Sequence, residues 1–215
     1  MNPSTKLISI TPDAEQLIAY CARVSNPANQ DNPDIAGLIK YCIKNQHWSV
    51  LEMANMVVEI NTTRAIAAQI LRHRSFSFQE FSQRYSDVSV LASSADIPHL
   101  RRQDLKNRQN SVDDLDPKLI QGYYRRMASL LDDSEHLYQE MVSSGVAKEC
   151  ARNILPLCSP TRLYVNGTIR SWVHYLQLRS GNGTQLEHQQ IARSILEIFK
   201  ENLPCVYQAA FGEAS

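Results

Sequence analysis

The chain has 215 residues, 43% of them hydrophobic and 20% charged, and its 22 basic side chains balance 22 acidic ones. That length suffices to bury the core of one domain spanning residues 1–215. Zero net charge excludes a global field that would drive sequence-blind attachment to nucleic acid or an anionic membrane, so any anion site must come from local clustering.

The first strand is expected over Lys6 to Ile10, and Asp13 is the expected N-cap of a helix reaching about Val24. SNPANQDNP, residues 25–33, reads as a loop by its Asn, Pro and Asp content. Ile35, Leu38, Ile39, Cys42 and Ile43 recur at helical spacing, ending near Asn45. Asn55 to Asn61 alternates, with Met56, Val58 and Ile60 on one face, as a half-buried strand does. From Thr63 the positions Ala67, Ile70 and Leu71 return to helical spacing, predicting a helix whose last turn presents Arg72, His73 and Arg74.

Residues 87–98 read as extended, and 101–116 as a polar loop; its stretch 101–111 carries four basic residues that take no assigned role. A long amphipathic helix is expected over 117–143, stopped by Gly145, with further helices over 146–155, 169–179 and 185–202. Few strands and several long helices imply an α+β fold, with helices packed on a small, mostly antiparallel sheet. There is no internal repeat and no low-complexity tract.

Five cysteines (Cys21, Cys42, Cys150, Cys158, Cys205) form no C-x-x-C pair and no His/Cys ligand spacing. A disulfide framework and a metal site are therefore not expected, and a cytoplasmic setting fits best. MNPSTKLISITPDAEQL lacks a basic start followed by an apolar core, and no stretch approaches eighteen apolar residues, so a soluble, unexported protein is expected.

Residues 72–86 read RHRSFSFQEFSQRYS, with three arginines, one histidine, one glutamate, four serines, three phenylalanines and a tyrosine in fifteen positions. A solvated basic loop is the plain reading, but Phe76, Phe78, Phe81 and Tyr85 are each worth roughly 1.5 to 3 kcal/mol when buried. A second reading is an RNA-contacting loop, with aromatics stacking on bases and arginines on phosphates; neutral charge and the lack of any RRM, KH or OB pattern weigh against it. The third is a nucleotide-cofactor pocket, with Arg72 and Arg74 on a diphosphate and Ser82 with Arg84 on a second phosphate.

The string resembles the signature of the flavin-dependent thymidylate synthases: RHR, seven residues, then Ser, here Arg72, His73, Arg74 and Ser82. The longer form RHR-x-x-S-x-N-E-x-S-x-R-Y matches also at Ser77, Glu80, Arg84 and Tyr85, with Gln79 where the family usually has Asn. Further segments carry the same resemblance. ARVSNP gives Ser25 and NQHWSVLE gives His47, Ser49 and Glu52 as flavin contacts, while SGVAKECARNILPL gives Arg152 as a substrate contact. GTIRSWVHYLQLR gives Thr168, where relatives often carry Asn, with Arg170 and His174 toward FAD and Arg179 toward the pyrimidine. Independently of the family, Arg170 and His174 are four residues apart and share a helix face.

The resemblance implies that the enzyme makes dTMP from dUMP with bound FAD, methylenetetrahydrofolate as carbon donor and NADPH as reductant, without an enzymic nucleophile. FAD would lie against Arg72, His73, Arg74, Gln79 and Glu80 as well as the contacts above. The nucleotide would lie against Gln69, Ile70, Leu71, Arg72, Glu80, Phe81, Ser82, Gln83, Arg84 and Arg152. Arg179 would be catalytic, stabilising the pyrimidine as an anion. Ser82 has no visible base and orienting acid, so it reads as a hydrogen bonder rather than a nucleophile. A homotetramer with shared active sites is implied. Two readings remain beside this one: an FAD-dependent reductase without dUMP chemistry, and an RNA-binding or nucleotide-sensing module. His136 and His188 carry no motif and are expected at the surface.

Overall fold

A computed structural model describes residues 3–91, 97–181 and 183–212. In chain order the elements are β1 (Ser4–Ile10), α1 (Ala14–Ala22), α2 (Ala36–Lys44), β2 (Asn55–Thr63), α3 (Arg64–Ile70), β3 (Ser77–Glu80), β4 (Arg102–Gln103), β5 (Ser111–Val112), α4 (Pro117–Ser143), α5 (Lys148–Ala151), β6 (Pro160–Thr168), α6 (Ile169–Arg179), α7 (Leu186–Asn202) and α8 (Pro204–Phe211). The main sheet has the order β1-β2-β6-β3 with every pair antiparallel, and β4 and β5 form a separate two-stranded hairpin. The α+β expectation holds.

Alternation explains the sheet. Met56, Val58 and Ile60 of β2 and Leu163 and Val165 of β6 are buried on one face, where they meet Trp172, Val173 and Leu176 of α6 and Ile191, Ile195 and Phe199 of α7. The other face carries Glu59, Arg162 and Tyr164, with the Tyr164 hydroxyl donating to Glu59 at 2.8 Å. At the far end of the core Glu15, buried on α1, accepts from the backbone N–H of Val206 at 2.7 Å and so satisfies an otherwise orphaned donor in the first turn of α8. Among the described residues no helix is long and apolar enough to cross a membrane.

Several boundaries differ from the sequence expectations for identifiable reasons. Asp13 precedes α1, but its backbone is left-handed (φ 47°) and its side chain makes no cap bond. That helix stops at Ala22 because Arg23 turns inward, where its guanidinium donates to the carbonyls of Asn32 at 2.6 Å and Asp34 at 2.5 Å and ties down the 25–34 loop. α3 ends at Ile70, before Arg72, His73 and Arg74, because the chain must reverse within six residues to pair β3 with β6. Residues 88–90 form a 3₁₀ turn capped by Asp87 instead of running extended; residues 92–96 lie outside the described part. The segment 101–116 holds the β4–β5 hairpin, and 146–155 is broken into α5 and a 3₁₀ turn at Arg152–Ile154. α4 has the expected bounds: Asp116 caps it, Pro117 opens it, and Gly145 stops it at φ 87°. β3, β6 and α8 escaped the sequence reading, although PTRLYVNGT alternates in the manner of β2.

Gly167 on β6 marks where the sheet meets the motif loop. A Cβ there would lie 2.4 and 2.5 Å from ring carbons of Phe76, whose ring packs 4.6 Å (centroid to centroid) from that of Trp172. Gly167→Ala is expected to cost about 1–3 kcal/mol by overpacking, and Phe76→Leu in the same chain should recover part of it. Denaturant midpoints of the two variants check this; an unchanged midpoint in Gly167→Ala would refute the tight approach.

Candidate active site

Helix α6 organises the site. It leaves the end of β6 with the Thr168 hydroxyl oxygen accepting from the Ser171 N–H at 3.2 Å, and Trp172 Nε1 pins it to β2 by donating to the Met56 carbonyl at 3.0 Å. Its apolar stripe faces the core, which leaves Arg170, His174 and Gln177 on one outward face. These three, with Ser75, Ser171, Trp48 and Glu52, line a cavity of 380 Å³. The 3₁₀ turn at Trp48–Met53 supplies the last two, and Glu52 forms an ion pair with Arg170 across 118 positions of sequence. Ser171 donates its hydroxyl to the Ser75 carbonyl at 3.2 Å and holds the motif loop against α6. An indole wall, an imidazole, two hydroxyls, an amide and the Arg170–Glu52 ion pair suit a flat heteroaromatic ring with hydrogen-bonding edges, so these side chains fit a flavin ring. The volume lies at the small end of the range of roughly 300–1,000 Å³ for ligand pockets.

The other end of α6 carries Arg179. Its Nε donates to His73 Nε2 at 2.9 Å, the one engaged nitrogen of that guanidinium among the described residues. His73 is pushed down to about 4, first by burial and then by the charge of Arg179 and of His174, so at neutral pH it offers a lone pair. The His73 ring stands edge-on to that of Tyr175 at 4.9 Å. Behind it Tyr175 and His188 share a bond of 2.9 Å, His188 Nδ1 lies 3.2 Å from Gln69 Oε1, and Gln69 Nε2 donates to Gln185 Oε1 at 2.7 Å. Burial, then the charges of Arg179 and His73, push His188 down to about 3. The surface expectation for His188 is thus overturned: it is 0% exposed, sealed under Tyr175, while His136 is exposed.

The remaining motif residues divide. Glu80 pairs with Arg64 at 2.5 Å and accepts from Thr161 at 2.9 Å. Arg84 is exposed and paired with Glu149 at 3.1 Å. Gln83 is buried with its Nε2 unpartnered among the described residues, an orphaned donor that a ligand oxygen would satisfy. Ile70 packs in the core; Leu71, Arg72, Arg74, Gln79 and Ser82 are exposed; Phe81 and Arg152 are half-buried. Ser25, His47 and Ser49 are exposed and lie outside the lining of the 380 Å³ cavity, and the Thr168 hydroxyl is occupied in capping α6. Of the residues singled out in the sequence as flavin contacts, the structure brings Glu52, Arg170 and His174 together in the lining of one cavity. The sequence reading missed Trp48, Ser75, Ser171 and Gln177; Gln177 stands three residues after His174 and seven after Arg170, a helical spacing that could have revealed it.

The chain is similar to known proteins over nearly its whole length. The family model described as thymidylate synthase complementing protein matches residues 6–205. A flavin-dependent thymidylate synthase of Synechocystis sp. is 52% identical over 195 residues, covering 91% of this chain and 88% of that protein. A probable flavin-dependent thymidylate synthase of Paramecium bursaria Chlorella virus 1 is 49% identical, covering 96% and 98%. Among solved structures, the UMP/dUMP methylase PolB from Streptomyces cacaoi bound with 5-Br dUMP shares the fold, with a TM-score of 0.85 over 99% of this chain and 97% of that chain at 24% identity. A model match over nearly the whole chain and relatives half identical to it place this protein in the flavin-dependent thymidylate synthase family.

Proposed function

We propose that this protein converts dUMP to dTMP, with FAD as its flavin, methylenetetrahydrofolate as carbon donor and NADPH as reductant. The observation that carries the reading is the arrangement along α6: a cavity suited to a flavin along its outward face from Arg170 to Gln177, and at its last residue Arg179 held through a single nitrogen by neutral His73. FAD, when bound, supplies the hydride chemistry. The protein binds, orients and polarises. Arg170 and His174, with Arg72, His73 and Arg74 beyond them, hold the flavin; Gln69, Glu80, Ser82, Gln83, Arg84 and Arg152 hold the nucleotide.

Uracil C5 is a poor nucleophile, and electron density must be raised in the ring before a carbon is added. Arg179 does this by electrostatics: a guanidinium whose Nε is already occupied presents its two terminal nitrogens in a fixed fork to the ring, favouring the pyrimidine anion. No cysteine need add to the ring. Burial raises the thiols of Cys42, Cys158 and Cys205 above their ordinary value, which keeps them protonated and poorly nucleophilic.

The cavity is small for a dinucleotide, which supports completion of each site by neighbouring copies in a homotetramer. We read the chain as one domain working in the cytoplasm. The test is direct. A purified sample is expected to show the visible bands of an oxidised flavin and to release tritium from 5-tritiated dUMP when methylenetetrahydrofolate and NADPH are present. Flavin reduction without tritium release would leave a reductase and end the synthase reading.

A further inference from the structure

The hydrogen-bonded chain Tyr175, His188, Gln69, Gln185 runs from the core, where Tyr175 and His188 are buried, through half-buried Gln69 to exposed Gln185, and is unused by the chemistry above except at Gln69. We propose that His188 is a positioning residue: from the buried side of the site it fixes the Gln69 amide so that Gln69 meets the nucleotide as a hydrogen-bond donor. This rests on the reading of Gln69 as a dUMP contact.

The direction of the chain follows from what each atom can do. Gln69 Oε1 only accepts, so the Nδ1 of His188, 3.2 Å away, carries the ring proton. In a neutral imidazole Nε2 is then a lone pair, and the Tyr175 hydroxyl 2.9 Å away must donate to it. Burial supports both assignments, because it holds His188 neutral and raises the Tyr175 hydroxyl well above its ordinary value. Gln69 Nε2 gives one hydrogen to Gln185 Oε1 at 2.7 Å and keeps the second for an acceptor oxygen of the ligand. Gln69 itself is half-buried, so that hydrogen is not sealed in the core.

The location of His188 argues for selection of this arrangement. On α7 it shares a stripe with Ile191, Ala192, Ile195 and Phe199, all 0% exposed, where an apolar residue would pack without any polar group to satisfy. An imidazole there brings a fixed donor on one side and a fixed acceptor on the other. Without it the Gln69 amide is restrained only by Gln185, an exposed amide that can turn over with it and so let the Gln69 oxygen and nitrogen exchange places.

Two substitutions and one spectrum test this. His188→Phe keeps a ring in the core and removes both bonds; His188→Asn keeps a donor near the position of Nδ1. We expect His188→Phe to raise the Kd and KM for dUMP about 5- to 10-fold, the size of one neutral hydrogen bond, with kcat within about twofold and NADPH-driven flavin reduction unchanged. His188→Asn should recover most of that loss. Nitrogen-15 spectra of the histidine-labelled protein at pH 7.5 should show His188 protonated on Nδ1. A proton on Nε2, or unchanged dUMP affinity in His188→Phe, overturns the proposal. If His188→Phe does not fold, unchanged affinity in Tyr175→Phe together with an Nε2 proton overturns it as well. Failure of the parent protein to bind dUMP removes the functional reading and this inference with it; dUMP binding by the parent with no change in the His188 variants removes this inference alone.

Discussion

Arg179→Ala is expected to lower kcat by roughly two to three orders of magnitude at saturating dUMP, the scale seen when one transition-state charge stabiliser is removed. If Arg179 only anchored the nucleotide, the interaction would be equally strong before and during reaction, and KM would rise with kcat nearly unchanged. Flavin reduction by NADPH should persist, because that half-reaction does not need the pyrimidine anion. Arg179→Lys should rescue only partly, since an ammonium keeps the charge but loses the planar fork and the Nε–H that meets His73 at 2.9 Å. Arg179→Ala, which removes the charge, should also raise the pKa of His73, which Arg179 helps to depress. Arg84→Ala is the control: Arg84 is exposed and far along the motif, and its loss should mainly raise KM for dUMP. A normal kcat in Arg179→Ala would exclude ring activation while leaving family membership intact.

The second large effect is on stability at mildly acid pH. His73 and His188 are held at about 4 and about 3 in the fold, against 6.5 for an ordinary histidine. Between these values the unfolded chain binds protons that the native chain refuses, so lowering the pH favours unfolding. The stability that comes with two neutral histidines is complete above about pH 6.5 and is lost as pH falls from there through the folded values. Each histidine should contribute a slope of about 1.4 kcal/mol per pH unit well inside that window. Carboxylates held low, such as Glu59 by the Tyr164 hydroxyl and Asp104 by the Lys106 N–H, lose their contribution only at still lower pH. Denaturant midpoints at pH 7.5 and 5.0 measure the effect, and His188→Phe should remove about half of the slope. Equal stability at the two pH values would contradict the burial of both rings in neutral form.

What was legible without the structure had a local period or a contiguous motif. β2 alternates with a period of two, α4 runs from Asp116 to Gly145 between residues that start and stop helices, and Arg170 and His174 share a face because they stand four apart. The string from Arg72 to Tyr85 identified the family because a signature needs only adjacency. What the tertiary structure decided lies between residues far apart. Arg170 found Glu52 and Glu80 found Arg64 and Thr161, while pairing of β3 with β6 cut α3 short at Ile70. His188 follows no motif, and only packing under Tyr175 turned an expected surface residue into the buried partner of Gln69. Burial is a property of what the rest of the chain lays over a residue, and the few kcal/mol that set a histidine's charge come from that cover rather than from its neighbours in sequence.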